Sequence, residues 1–349
     1  MKRVYLDYNA SAPLREEARE AMVHAMALAG NPSSVHAEGR QARAIVEIAR
    51  QQVAAALGAQ GADVIFTSGA TEAAGLALNG RGIRCADIEH EAVSSWCQSD
   101  LSCGSDGGVA CEAPEATALQ LANSETGILQ QLPEGLALCD MTQAFGKLPV
   151  AFHWTGATMA LVSAHKIGGP KGVGALIVKS GTEVAAQIKG GGQEMGRRSG
   201  TENVIGIAGF GAAAEAAQRD LADGVWEQVE KLRNILEKAV AQSSSETIFV
   251  GKGGQRLPNT SYMISAGWRG ETQVMQMDLA GFSVSAGSAC SSGKVKRSRV
   301  LQAMGFSAEQ AACALRVSLG PKNKQEDIER FVEVWGAHQH RLQGRRRSA

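Results

Sequence analysis

The chain is expected to be an α/β protein, with a mostly parallel central sheet in a large domain and a smaller α+β domain beside it. Three observations predict this. Short β-branched runs alternate with helical patterns over the first two thirds of the sequence. At 349 residues the chain exceeds the length of one small domain. Near residue 220 the pattern changes to a long amphipathic helix, with Val225, Val229, Leu232, Leu236 and Val240 at helical spacing. The expected division is residues 12–220 for the large domain, and 1–11 with 221–349 for the small one.

The elements follow in order. Residues 16 to about 58 interleave Ala, Arg, Glu and Gln in a largely helical pattern. Val64-Ile65-Phe66-Thr67 reads as a buried strand that stops at Ser68-Gly69, with a helix expected over 71–78. Leu136-Ala137-Leu138-Cys139, Ala160-Leu161-Val162-Ser163 and Gly174-Ala175-Leu176-Ile177-Val178 read as further buried strands. Open α/β sheets bind ligands beyond the carboxyl ends of their strands, and Ser68, Asp140 and Ser163 stand at three such ends. In the second part, Thr260-Ser261-Tyr262-Met263-Ile264 and Leu315-Arg316-Val317-Ser318-Leu319 look strand-like. A last helix carries Ile328, Phe331 and Trp335.

The bulk numbers exclude several classes. Lys and Arg balance Asp and Glu at 35 each, so no global field draws in nucleic acid or an anionic membrane. No stretch reaches the roughly 20 apolar residues of a membrane span, and Asp7 interrupts the basic N-terminus before a secretory signal can form. Seven cysteines, an odd number without a C-x-x-C pair, support neither a disulfide framework nor a zinc ribbon. The expected compartment is the reducing cytoplasm, and no metal site is indicated.

Five segments carry chemistry. In Ser163-Ala164-His165-Lys166-Ile167-Gly168-Gly169 a lysine follows a buried strand and precedes a Gly-rich turn. Partial burial favours the neutral amine that forms a Schiff base, while Ser163 and His165 offer donors suited to a phosphate. A solvated loop lysine would have the same neighbours. Thr67-Ser68-Gly69-Ala70-Thr71-Glu72 joins a strand to a helix and could serve as an anion site or merely as a helix cap. Asp140 could hold a protonated pyridine nitrogen and Gln143 a ring hydroxyl, or Asp140 could cap the next turn. His90, in Glu89-His90-Glu91, could stack on an aromatic cofactor or be structural. Finally, Ser285-Ala286-Gly287-Ser288-Ala289-Cys290-Ser291-Ser292-Gly293 sets a cysteine among small residues ahead of Lys294, Lys296, Arg297 and Arg299. Nearby cations favour the thiolate. By contrast, Cys139 and Cys313 look like core.

Taken in order, these segments resemble the cysteine desulfurases, a branch of the class V, fold-type-I pyridoxal-phosphate enzymes. The similarity runs from Tyr5-Leu6-Asp7-Tyr8-Asn9 to Arg316-Val317-Ser318-Leu319-Gly320. It includes Gly30-Asn31-Pro32-Ser33-Ser34, Asn123-Ser124-Glu125-Thr126-Gly127, Gly190-Gly191-Gly192-Gln193-Glu194 and Arg198-Ser199-Gly200-Thr201. The resemblance implies pyridoxal 5'-phosphate on Lys166, which later takes the Cα proton of L-cysteine. It implies that His90 stacks on the ring, that Asp140 holds the ring nitrogen, and that Gln143 and the position of Ser124 serve the ring oxygen. Ala70, Thr71, Ser163 and His165 would bind phosphate, joined by Thr201 from the other subunit of a homodimer. Arg316, helped by Asn31, would take the substrate carboxylate. Cys290 would accept the sulfur as a persulfide and pass it to an acceptor or iron–sulfur scaffold protein, and the loop after it resembles the nitrogen-fixation and iron–sulfur-assembly branch.

Two departures stand out. Relatives usually carry Asn where Ser124 stands, and the stretches 90–123 and 127–140 are short, so helices that cover the sheet in relatives are expected to be trimmed. A selenocysteine lyase, another class V enzyme, or a partner-binding scaffold with weakened catalysis are the competing readings.

Overall fold

The computed structural model describes residues 3–287 and 297–347, with side chains described as far as residue 344. A short strand β1 (Val4–Tyr5) is followed by helices α1 (Glu16–Met26) and α2 (Ala37–Ala56). The helical stretch expected from 16 to 58 is therefore broken over residues 27–36. Pro32 accounts for the break: it lacks the N–H of a helix ladder and biases Asn31 away from helical backbone. His36 restarts the helix by accepting a hydrogen bond from Gly39 N.

Next come β2 (Asp63–Thr67), α3 (Ala70–Leu78), β3 (Arg84–Ala86), α4 (Glu91–Ser94) and β4 (Gln98–Leu101). Strands β5 (Ala118–Gln120), β6 (Leu138–Asp140), β7 (Met159–Ser163) and β8 (Gly174–Val178) complete this part. Among the described residues, no helix longer than the four-residue α4 and a three-residue 3-10 turn lies between α3 and β6. The short 90–140 stretch thus carries almost no helix.

One five-stranded sheet runs in the order β2-β8-β7-β6-β5. Strands β5, β6 and β7 are parallel, and β8 is antiparallel to both β7 and β2. Four strands thus share a direction and β8 alone is reversed. Both faces of the sheet are apolar, as the continuous hydrophobic runs require. On one face Val64, Phe66, Val162, Ala175 and Ile177 pack with Val53 and, from α5 (Val204–Ala222), Phe210. On the other, Ile65, Leu161, Leu176 and Val178 pack with Ala74 and Leu78.

Beyond α5 lie α6 (Val225–Ser243), β9 (Ile248–Phe249), β10 (Thr260–Ile264), α7 (Gly270–Leu279) and β11 (Phe282–Ser283). Then follow α8 (Arg299–Ala303), α9 (Ala308–Ala312), β12 (Ala314–Ser318) and α10 (Gln325–Arg347). An antiparallel sheet, β12-β10-β9, backs a core in which Leu236, Met263, Leu315 and Trp335 meet Val4 and Leu6 from the chain's beginning. Strand β1 pairs with β11. No helix among the described residues is long and apolar enough to cross a membrane.

Where the turn after β2 meets the sheet, space is minimal. A Cβ on Gly174 would lie 2.7 Å from Gly69 Cα and 2.7 Å from Val162 O. Gly174→Ala is expected to lower stability by about 1–3 kcal/mol, the usual cost of overpacking, and to displace the Gly69 turn. Denaturant unfolding of the variant beside wild type measures this.

Candidate active site

All four strands that share a direction end at one edge of the sheet, at Thr67, Gln120, Asp140 and Ser163. Register aligns them in two pairs: Gln120 is level with Asp140, and Thr67 and Ser163 share the partner Gly174, while Asp140 pairs with Leu161 and so stops two residues short of Ser163. Beyond this edge opens a cavity of ≈ 450 Å³. Its lining includes Ala70, Thr71, His90, Ser124, Asp140, Gln143, Ser163, His165 and Lys166, nine of the residues singled out from the sequence, together with Lys171. A larger cavity of ≈ 510 Å³, beside Arg50 and Glu194, holds none of those singled-out residues.

Each lining group is placed by its local structure. Lys166 ends a 3-10 turn that follows β7 directly, and its Nζ donates to Asn9 O at 2.6 Å and Ala10 O at 3.0 Å. The amine is thereby held against the N-terminal segment at the cavity wall. Ala70 and Thr71 are the first residues of α3, where backbone N–H groups have no intrahelical acceptor and attract anions. Asp140 spends Oδ1 on Thr142 N, 2.8 Å away. His90 caps α4: its Nδ1 accepts from Ala92 N at 3.1 Å, which puts the hydrogen of the neutral ring on Nε2.

His165 contacts Ser11 Oγ at 3.3 Å. Burial, followed by the charges of Lys166, Lys171 and Lys147, pushes its imidazole from 6.5 down to about 4. Near neutrality His165 is therefore uncharged and can still donate one hydrogen bond.

Other singled-out residues sit elsewhere. Arg316 is buried behind Ser124: Nη1 donates to Ser124 O at 3.0 Å and Nη2 pairs with Asp7 at 2.9 Å. Its Nε is buried and has no hydrogen-bond partner among the described residues. Asn31 and Thr201 are exposed and do not line the cavity. Cys290 lies outside the described residues. On either side of its segment, Ser285 donates to Asp7 Oδ2 at 2.8 Å, and Ser298 donates to the buried Glu125 carboxylate while capping α8. Cys139 and Cys313 are buried, as their sequence setting implied.

Sequence reasoning overlooked Asn9, Lys147 and Thr142. Asn9 joins the two sheets, accepting from Lys166 and Gln143 through its carbonyl and donating its backbone N–H to Ser318 Oγ, 3.0 Å away. Thr142 follows Asp140 by two positions and lines the cavity, with its Oγ1 buried and unpartnered among the described residues. The donor set fits a phosphorylated pyridine aldehyde: an amine, a carboxylate, a helix start, hydroxyls and an orphaned polar atom around one cavity.

The comparisons agree with this chemistry. The family model described as aminotransferase class-V matches residues 4–98 and 112–331, and the chain belongs to that family. The gap in the match, residues 99–111, falls within the short stretch between His90 and Asn123. A protein of Frankia sp. named "Cysteine desulfurase" is 39% identical, with 95% of this chain and 90% of that protein covered. "Cysteine desulfurase IscS" of Dictyoglomus turgidum is 35% identical, covering 96% and 94% respectively. The solved structure of a NifS-like protein from Rickettsia africae superposes with a TM-score of 0.87 at 31% identity, covering 95% of this chain and 98% of that one. The architecture is that of the fold-type-I enzymes, and the family works with pyridoxal phosphate.

The His165 shift carries a pH consequence. A histidine lowered in the folded state binds its proton more readily when unfolded, so its contribution to stability is lost as pH falls from 6.5 towards 4. His165→Gln should unfold with a midpoint that declines less steeply over that window than wild type. Thermal scans at matched pH values decide it.

Proposed function

We infer that this chain is a cysteine desulfurase: it removes sulfur from L-cysteine, releases L-alanine and holds the sulfur as a persulfide on Cys290. The observation that carries the reading is the cavity itself, where an amine, an acid and a helix start meet at the shared carboxyl edge of four co-directional strands. The relatives named for that activity run nearly the full length of the chain.

When bound, pyridoxal phosphate withdraws electrons from the substrate Cα, and this is what lets the Cα–H and Cβ–S bonds break. The protein's groups do the rest. We assign the phosphate to the Ala70 and Thr71 N–H groups with Ser163 and neutral His165. Asp140, with one oxygen engaged by Thr142 N, keeps the other for the ring nitrogen. Gln143 and Ser124 face the ring oxygen, and Ser124 is shorter than the Asn usual in relatives. Lys166 Nζ takes the Cα proton, and His90 stacks on the ring and moves a proton through Nε2. Arg316, aided by Asn31, takes the substrate carboxylate; its unpartnered Nε supports a polar ligand there. To do so the guanidinium must trade part of its bond with Asp7 for the substrate.

The sulfur step balances without an outside oxidant. The Cys290 thiolate attacks the substrate sulfur, an S–S bond forms as C–S breaks, and the carbon keeps the electron pair and gains a proton. We assign the onward acceptor to an iron–sulfur scaffold or another thiolation protein, and the compartment to the cytoplasm. We take the enzyme to be a homodimer in which Thr201 of one subunit reaches the other's phosphate site. Its exposure in a single chain supports this. The division into domains at 12–220, and 1–11 with 221–349, is supported by the separate cores on the two sheets.

Two variants test the reading. Lys166→Ala should abolish the yellow colour of the cofactor-loaded protein. Cys290→Ser should stay yellow yet lose sulfide release from cysteine under reducing conditions by at least a hundredfold, in line with the loss of a covalent nucleophile. A colourless wild type, or a Cys290→Ser protein as active as wild type, sinks it.

A further inference from the structure

Lys147, only 2% exposed, is a buried lysine left without a task above. Burial lowers its amine well below the ordinary value, and the neighbouring charges of Lys166 and Arg316 act in the same direction. Its hydrogen-bond acceptors are neutral amides: Nζ donates to Gln143 Oε1 at 2.8 Å and to Asn9 Oδ1 at 3.1 Å. A lysine keeps at least two N–H groups whether or not it is protonated, so both bonds persist in either state.

These partners fix which way each amide faces. Leu319 O accepts only, so the Asn259 atom 2.9 Å from it is Nδ2; that same Nδ2 donates to Asn9 Oδ1 at 3.0 Å. The Thr260 hydroxyl gives its hydrogen to Asn259 Oδ1 and accepts from Asn9 Nδ2 at 2.8 Å. Asn9 therefore turns its oxygen to Lys147. Asn9 O, also acceptor-only, takes Gln143 Nε2 at 3.0 Å, which leaves Gln143 Oε1 facing Lys147. Gln143 lines the cavity. With its oxygen occupied and one Nε2 hydrogen on Asn9 O, a single N–H remains for a ligand. The Gln143 oxygen is turned to the buried Lys147 amine, so the group that Gln143 has left to offer a ligand is an N–H.

We propose that Lys147 is a positioning residue: it locks the Gln143 side-chain amide so that Gln143 serves solely as an N–H donor to the anionic ring oxygen of the cofactor. This rests on the reading of the cavity as a pyridoxal-phosphate site. Asn9 is the hub of the lock, since its carbonyl also receives Lys166 Nζ at 2.6 Å. The amine that carries the cofactor and the amide that polarises it are thus referenced to one backbone oxygen.

The experiment is a visible-absorption pH titration of the pyridoxal-phosphate-loaded protein without cysteine, run on wild type, Lys147→Met, Gln143→Leu and the double variant. Losing a donor to a charged oxygen should move the midpoint of the colour change upward by about one pH unit in Lys147→Met. Gln143→Leu should shift it at least as far, and the double variant no further than Gln143→Leu, because both remove one interaction. Gln143→Glu provides a check should Lys147→Met fold poorly. It still accepts from Lys147 but offers no N–H, and it too should titrate upward. A Lys147→Met protein that titrates like wild type, a double variant that adds the two shifts, or an unshifted Gln143→Glu overturns the proposal while a yellow wild type leaves the cavity reading standing. A wild type that takes up no pyridoxal phosphate overturns both.

Discussion

The hydrogen-bond register between β7 and its neighbours is the constraint on which everything at the site depends. Because β5, β6 and β7 run parallel, Gln120 and Asp140 finish level, Ser163 stands two residues further along the same edge, and Lys166 follows only three residues past it. A one-residue slip in any strand would invert its side chains between the sheet's two apolar faces. The cores on both sides forbid that. Packing energy far from the chemistry thus fixes where the amine, the acid and the hydroxyl stand.

The second level of order is polar and local. Asn9 lies buried between the main sheet's carboxyl edge and the smaller antiparallel sheet, touching Ser124, Gln143, Lys147 and Lys166 on one side, and Asn259, Thr260 and Ser318 on the other. Nearly every donor and acceptor it owns is spent. A buried network satisfied to this degree specifies a single arrangement, since each alternative leaves a polar atom without a partner.

Much of this was legible in the sequence, and the failures have physical causes. The runs at 64–67, 160–163, 174–178 and 260–264 announce strands because they are buried on both faces and punctuated by Gly or Ser. The two-residue pairings of β1 with β11 were invisible, since they exist only where distant segments meet. Nine site residues were readable because each sits within a few positions of a strand end or helix start, where local pattern and location coincide. Lys147, two positions before Pro149, has no sequence signal of burial, and only the closed fold reveals that it is enclosed. Arg316 was found by resemblance, yet its bond to Asp7, across 309 positions, could not be foreseen from spacing.

That long reach has an implication for how the molecule is built. Tyr8 and Asn9 bond to Ser318, and Leu6 accepts from the Ser318 amide, so these bonds form only once the strand at 314–318 is in place. Strand β1 has its own partner in β11, but the Asn9 carbonyl that receives Lys166 Nζ is not pinned by Ser318 until then. The seating of Lys166 thus depends on contacts between segments 309 positions apart, a long-range closure of the kind that slows folding.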